Sequence, residues 1–151
     1  MPDPAPILRR LREILSIPGD RVGKARRVAA AIRETGGYRW VGLYELSGDA
    51  IQVVAWSGPG APAFPQFHSS QGLCGATVRS RQTTHVGDVT RDPRYLTTLN
   101  TTRSEIVTPV LDAAGAVLGL LDVESDLPDA FGPEDRSCLE ACARSLAPLW
   151  G

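Results

Sequence analysis

The stretch Glu105-Ile106-Val107-Thr108-Pro109-Val110-Leu111-Asp112-Ala113-Ala114-Gly115-Ala116-Val117-Leu118-Gly119-Leu120-Leu121-Asp122-Val123 decides the fold. Two apolar runs, Glu105 to Leu111 and Ala116 to Val123, flank Asp112-Ala113-Ala114-Gly115, a strong turn signal, and together they read as a β-hairpin. From Ala116 to Leu121 the second run is unbroken by polar residues, so Asp122 is expected in largely buried surroundings. Asp122 and Glu124 stand two apart on a strand, which points both side chains to one face. Two acids there repel each other and lose hydration, so they need a cation, hydrogen-bond donors or raised pKa values. The pattern alone leaves a second reading open, in which the strand pair ends nearby and the acids are solvated.

Outward from the hairpin, the chain reads as helix at both ends and strand in the middle. Downstream, Gly132-Pro133-Glu134-Asp135 starts a last helix: proline suits its first position, and acids favour the helix dipole in the first turn. Cys138, Leu139, Cys142, Leu146 and Leu149 form its apolar stripe. Upstream, Thr90 to Thr102 has no apolar period and reads as a long functional loop. Thr83 to Val89 and a short segment at Phe67 read as strands, and Gly72 to Ser80 reads as a short helix. Trp40 to Leu46 and Ala50 to Trp56 make a first hairpin around Ser47-Gly48-Asp49. Before it, Asp20 caps a helix whose stripe is Val22, Ala25, Val28, Ala29 and Ile32, ended by Gly36-Gly37. A proline-rich lead-in, Pro2 to Pro6, precedes a short helix over Ile7 to Leu15, with Leu8, Leu11 and Leu15 on one side. Terminal helices around antiparallel hairpins predict the α+β class, in a single domain over residues 1–151.

Composition bounds the function. The 151 residues are 42% hydrophobic and 22% charged, with a net charge of −1 and no basic stripe, which gives no electrostatic reason to expect nucleic acid. No run approaches the length of a membrane span, and the first residues lack the regions of a signal peptide, so a cytoplasmic location is expected. Three cysteines do not make a disulfide framework. His68, Cys74 and His85 have no standard ligand spacing, and no metal or cofactor is expected.

Five segments in fixed order carry a family resemblance: Trp40-Val41-Gly42-Leu43-Tyr44, Gly72-Leu73-Cys74-Gly75, Arg103-Ser104-Glu105-Ile106-Val107, Gly119-Leu120-Leu121-Asp122-Val123-Glu124-Ser125, and Phe131-Gly132-Pro133-Glu134-Asp135. Between about Tyr38 and Leu146 the chain resembles a GAF domain, and more narrowly the GAF proteins that reduce free methionine-(R)-sulfoxide. The resemblance implies a central antiparallel sheet of about six strands, with N- and C-terminal helices on one face and a ligand pocket under loops on the other. It also implies that Asp122 and Glu124 help hold the amino group of a bound amino acid, that Glu105 is a third pocket acid, and that Trp40 and Tyr44 are its aromatic walls. Gly42, between those aromatics, is expected to leave room over the sheet.

In that family a cysteine attacks the sulfoxide sulfur, becomes a sulfenic acid and is resolved as a disulfide that thioredoxin reduces. Cys74 matches one of three family cysteines. The attacking position, six residues before Ser104, is Thr98, and the remaining one, ten before Cys74, is Phe64. A threonine hydroxyl cannot replace a thiolate as a sulfur nucleophile, so the usual redox cycle is not expected. A helix N-terminus lowers a thiol pKa, which would favour a reactive Cys74; the alternative is a small residue filling space beside the pocket. Cys138 and Cys142, one turn apart on a core face, read as packing.

Three functional readings follow. The first is a sensor-like module binding a small molecule with an ammonium group. The second is a reductase working through Cys74 and external thiols. The third is a homodimeric interaction module with a vestigial pocket. Cyclic-nucleotide or tetrapyrrole binding is disfavoured, since an acidic pocket repels phosphates and propionates.

Overall fold

The computed structural model of this protein describes residues 3–150; Pro2, where the expected lead-in begins, lies outside them. Helix α1 covers Ala5–Ser16 and takes in Pro6, which the first turn tolerates because its missing N–H would be unpaired there anyway. Its deep residues are Ile7, Leu11 and Ile14, so the buried side is rotated from the expected one, and Leu8 and Leu15 flank it. Helix α2, Arg21–Gly36, starts where the Asp20 carboxylate accepts from the Gly23 N–H and ends at Gly37, whose φ of 66° is left-handed. Ala25, Val28, Ala29 and Ile32 are buried as the stripe requires, but Val22 in the first turn is 46% exposed. No helix among the described residues is long and apolar enough to cross a membrane.

The strands are β1 (Trp40–Ser47), β2 (Ala50–Ser57), β3 (Gln66–His68), β4 (Thr84–Val86), β5 (Ser104–Leu111) and β6 (Val117–Ser125). They form one antiparallel sheet in the order β3-β2-β1-β6-β5-β4. The decisive hairpin therefore sits at its centre, with β6 paired to β1 on one side and β5 on the other. The strand expected over Thr83 to Val89 shortens to β4. Beyond it the Asp88 side chain accepts from the Thr90 N–H and winds Val89–Arg91 into a tight 3-10 turn.

Period-two alternation splits the core. Val41, Leu43, Ile106, Val110, Leu121 and Val123 face α1, α2 and the last helix, α4 (Pro133–Arg144). Trp40, Tyr44, Ile51, Val107 and Leu120 face the other way, toward α3 (Gly72–Ser80) and the loops. Helix α4 stops earlier than its stripe suggested. The Cys142 carbonyl accepts from the Ser145 hydroxyl at 2.7 Å, and Pro148 cannot continue the helix, so Leu146 and Leu149 are buried from a following turn.

Candidate functional site

Register brings the acids together. Glu105 on β5 pairs with Glu124 on β6, and Asp122 pairs with Val107 on one side and Gly42 on the other. All three acids project from the face opposite the terminal helices, where α3 and the loop over residues 89–103 cover them. Glu105, Asp122 and Glu124 are 3%, 1% and 0% exposed, and carboxylate oxygens of the three lie within 4.8 Å of one another. The hydrated reading of these acids does not hold.

Their donors are few. The Thr102 hydroxyl donates to Glu124 Oε1 at 2.8 Å, and the Tyr95 hydroxyl, which also contacts the Leu99 carbonyl, reaches the same oxygen at 3.4 Å. Among the described residues, Asp122 Oδ1 and Glu124 Oε2 find no donor, though both are buried. Two unit charges 4.8 Å apart repel by about 3–4 kcal/mol even at an effective dielectric near 20, so a fully ionised trio carries on the order of 10 kcal/mol of repulsion. That is comparable with the whole stability of a typical domain. Burial first, and then the neighbouring carboxylates, accordingly hold all three acids well above the ordinary carboxylate range.

The hollow beside the acids is lined by Tyr44, Phe64, Phe67, Leu73, Cys74 and Leu96, together with Thr98, Glu105 and Asp122. Its free volume is about 10 Å³, the room of one water molecule. The expected pocket is thus closed, with Leu96 to Thr98 as its roof and the 46%-exposed Phe64 at its edge. Tyr44 and Phe67 meet edge to face with ring centroids 5.8 Å apart and form the aromatic wall.

Trp40 and Glu124 lie outside this lining. The Trp40 indole N–H donates to the Gly60 carbonyl at 2.9 Å, and the ring lies over Gly42, so the space expected above that glycine is occupied by Trp40 itself. Glu124 sits in the same carboxylate cluster but is roofed by Thr102 and Tyr95.

Cys74 lines the hollow, 4% exposed. Desolvation, followed by Asp122, Glu105 and Glu124, raises its thiol pKa well above the ordinary value. A thiol activated by the start of α3 is therefore not what forms; burial among acids outweighs the helix dipole. Gly75 explains the glycine after it: a Cβ there would come 2.8 Å from the Ser69 carbonyl oxygen, so α3 packs directly on the preceding backbone. His68 and His85 stay apart from the acids, the first near Asp49 and the second against Phe131.

Sequence reasoning missed Tyr95, Thr102, Phe67 and Leu96 as parts of the site. Tyr95 carried a signal, as the one aromatic side chain between Thr90 and Thr102. Nothing in the sequence separates Thr102 from the other threonines around it.

Known proteins share this fold in varying degree. The structure of free methionine-R-sulfoxide reductase from Neisseria meningitidis in complex with its substrate superposes with a TM-score of 0.85 at 28% identity, over 95% of this chain and 86% of that one. The type II free methionine-R-sulfoxide reductase of Thermoplasma acidophilum gives 0.77 at 32% identity, over 86% and 94%. GAF domain-containing protein A of Dictyostelium discoideum is 29% identical over 93% of this chain and 87% of its own length. The family model for the GAF domain matches residues 20–148, from the cap of α2 to the turn after α4. That match spans the sheet and all three acids, and the chain belongs to the GAF domain family.

Proposed function

We propose that this chain is a small-molecule-binding GAF domain whose guest is a free amino acid or related amine, and that it lacks the usual reductase cycle. The observation carrying this reading is the pair of buried, donorless oxygens, Asp122 Oδ1 and Glu124 Oε2, beside a third acid. A protonated amine supplies the missing donors and the missing positive charge together. Tyr44, Phe67 and Leu73 offer apolar contact to its side chain. Related proteins named as free methionine-R-sulfoxide reductases act on a molecule of this class, which supports the choice of guest.

A guest larger than one water requires the roof over residues 96–98 to lift, so binding is coupled to a loop movement. Calorimetry with a panel of amino acids, including methionine and both its sulfoxides, tests the reading. Heat of binding in the wild type and at least tenfold weaker binding in Asp122→Asn are expected. No binding by the wild type, or undiminished binding by the variant, overturns it.

Cys74 on the wall of the hollow favours a second reading, a reductase resolved by external thiols. Its burial and raised pKa weigh against it. Turnover of methionine-(R)-sulfoxide with dithiothreitol, lost in Cys74→Ser, would establish this activity; its absence leaves binding as the function. Self-association is proposed through an open apolar groove of about 500 Å³ lined by Leu8 and Leu15 of α1 and by Pro148. Light scattering at two concentrations distinguishes a dimer from a monomer.

A further inference from the structure

We propose that the empty site stores protons and that its ammonium guest enters by exchange, expelling at least one proton and therefore binding more tightly as pH rises. This rests on the ammonium reading above and adds a co-ligand to it. Three carboxyl groups from two adjacent strands lie within 4.8 Å of one another, Glu105 and Asp122 lining a space the size of one water, and among the described residues no arginine, lysine or histidine lines that space. A carboxylate oxygen of Asp122 lies within 4.8 Å of one from Glu105 and one from Glu124. Carboxyl groups held this close can hydrogen bond to one another only when one of them carries a proton. The orphaned Asp122 Oδ1 and Glu124 Oε2 are where the exchange places stored protons until a guest arrives.

Among the described residues, no element packed on the cluster offers it a free counter-charge. Tyr44 from β1 and Cys74 from α3 are neutral groups whose own ionisation the acids oppose. Tyr95 and Thr102 from the covering loop give hydroxyls only, and Thr98, also uncharged, lines the hollow. Asp92 adds a smaller repulsion at Glu105, and the nearby Arg94 is engaged by that same Asp92 at 2.7 Å.

The exchange conserves charge. A carboxyl O–H bond breaks, its proton passes to water and then buffer, and the carboxylate left behind accepts an N–H of the incoming ammonium. One positive charge leaves the hollow as one enters, so the low-dielectric site never holds the full repulsion of its acids. Linkage fixes the sign: the guest-bound site holds fewer protons than the empty one, so affinity grows with pH, up to about tenfold per unit for one proton released.

The test is calorimetry with methionine-(R)-sulfoxide as the probe, at one pH in phosphate and in Tris, whose ionisation heats differ widely, and then across about pH 6 to 8. Different apparent enthalpies in the two buffers, with tighter binding at higher pH, are expected. Equal enthalpies and a flat pH profile overturn the exchange while leaving the amine reading intact; no binding at any pH by this probe or by any other member of the amino-acid panel overturns both. Infrared spectra of the ligand-free protein at neutral pH give an independent measure. A protonated carboxyl stretch that fades on adding the probe supports the exchange, and the absence of that band contradicts it.

Discussion

Asp122 concentrates the conflict between stability and function in one side chain. It is 1% exposed, has an oxygen with no donor, and has a pKa pushed well up by burial and by Glu105. An acid whose pKa is higher folded than unfolded stabilises the fold fully below the ordinary carboxylate range, and that contribution is lost as pH rises through the folded value. Asp122→Asn keeps the shape and removes the titration. It should stabilise the ligand-free protein by about 1–3 kcal/mol near pH 8 and by little near pH 5, measured by urea denaturation at the two values. Equal effects at both would show that folding does not raise the Asp122 pKa. Cys74 gives a second residue-level test. It is buried beside the acids, whereas Cys138 is half-buried and Cys142 is buried with its pKa pushed up to about 12. Mass spectrometry after brief iodoacetamide treatment should find Cys138 modified first and Cys74 protected.

At the scale of elements, the site depends on the pairing of β5, β6 and β1 and on the loop that closes over them. The β5–β6 hairpin was legible in the sequence, because two apolar runs around a turn and the two-residue spacing of Asp122 and Glu124 are local properties, whereas the pairing of β6 with β1 joins segments far apart in the chain. Asp20 and Gly37 were also legible as helix ends, because their chemistry is local. The closure was not legible. Whether Leu96 and Thr98 roof the hollow, and whether Trp40 lines it or fills the space over Gly42, depends on contacts between segments far apart in the chain. The early stop of α4 was missed because the apolar stripe runs on past Arg144, while Ser145 and Pro148 turn the backbone away. Tyr95 ties the loop to the acids: its hydroxyl accepts from the Thr98 N–H at 3.2 Å and contacts Glu124 Oε1. Tyr95→Phe should therefore loosen the roof, with amides of residues 96–102 exchanging hydrogen several-fold faster and those of β6 unchanged. Unchanged loop exchange would remove Tyr95 from the closure.

For the molecule as a whole, two sets of acids act on opposite sides of neutrality. Asp88, bound by Thr90, and Asp92, bound by Arg94, have lowered pKa values, so their contribution is present above the ordinary carboxylate range and lost as pH falls through those lowered values. The buried trio acts in reverse, stabilising the empty fold at lower pH. The ligand-free protein should therefore be most stable on the acid side of neutrality, and saturating guest should move that optimum upward. Thermal melts across pH with and without guest check this, and a shared optimum would contradict it. The central claim, an amine held among three carboxylates, is tested most directly by a crystal structure of protein taken from cells or soaked with the guest that calorimetry identifies. The account predicts a nitrogen at about 2.7–3.2 Å from Asp122 Oδ1 and Glu124 Oε2, under a lifted 96–98 segment. A guest seated elsewhere, or one turning a carboxylate or phosphate toward these acids, would contradict it.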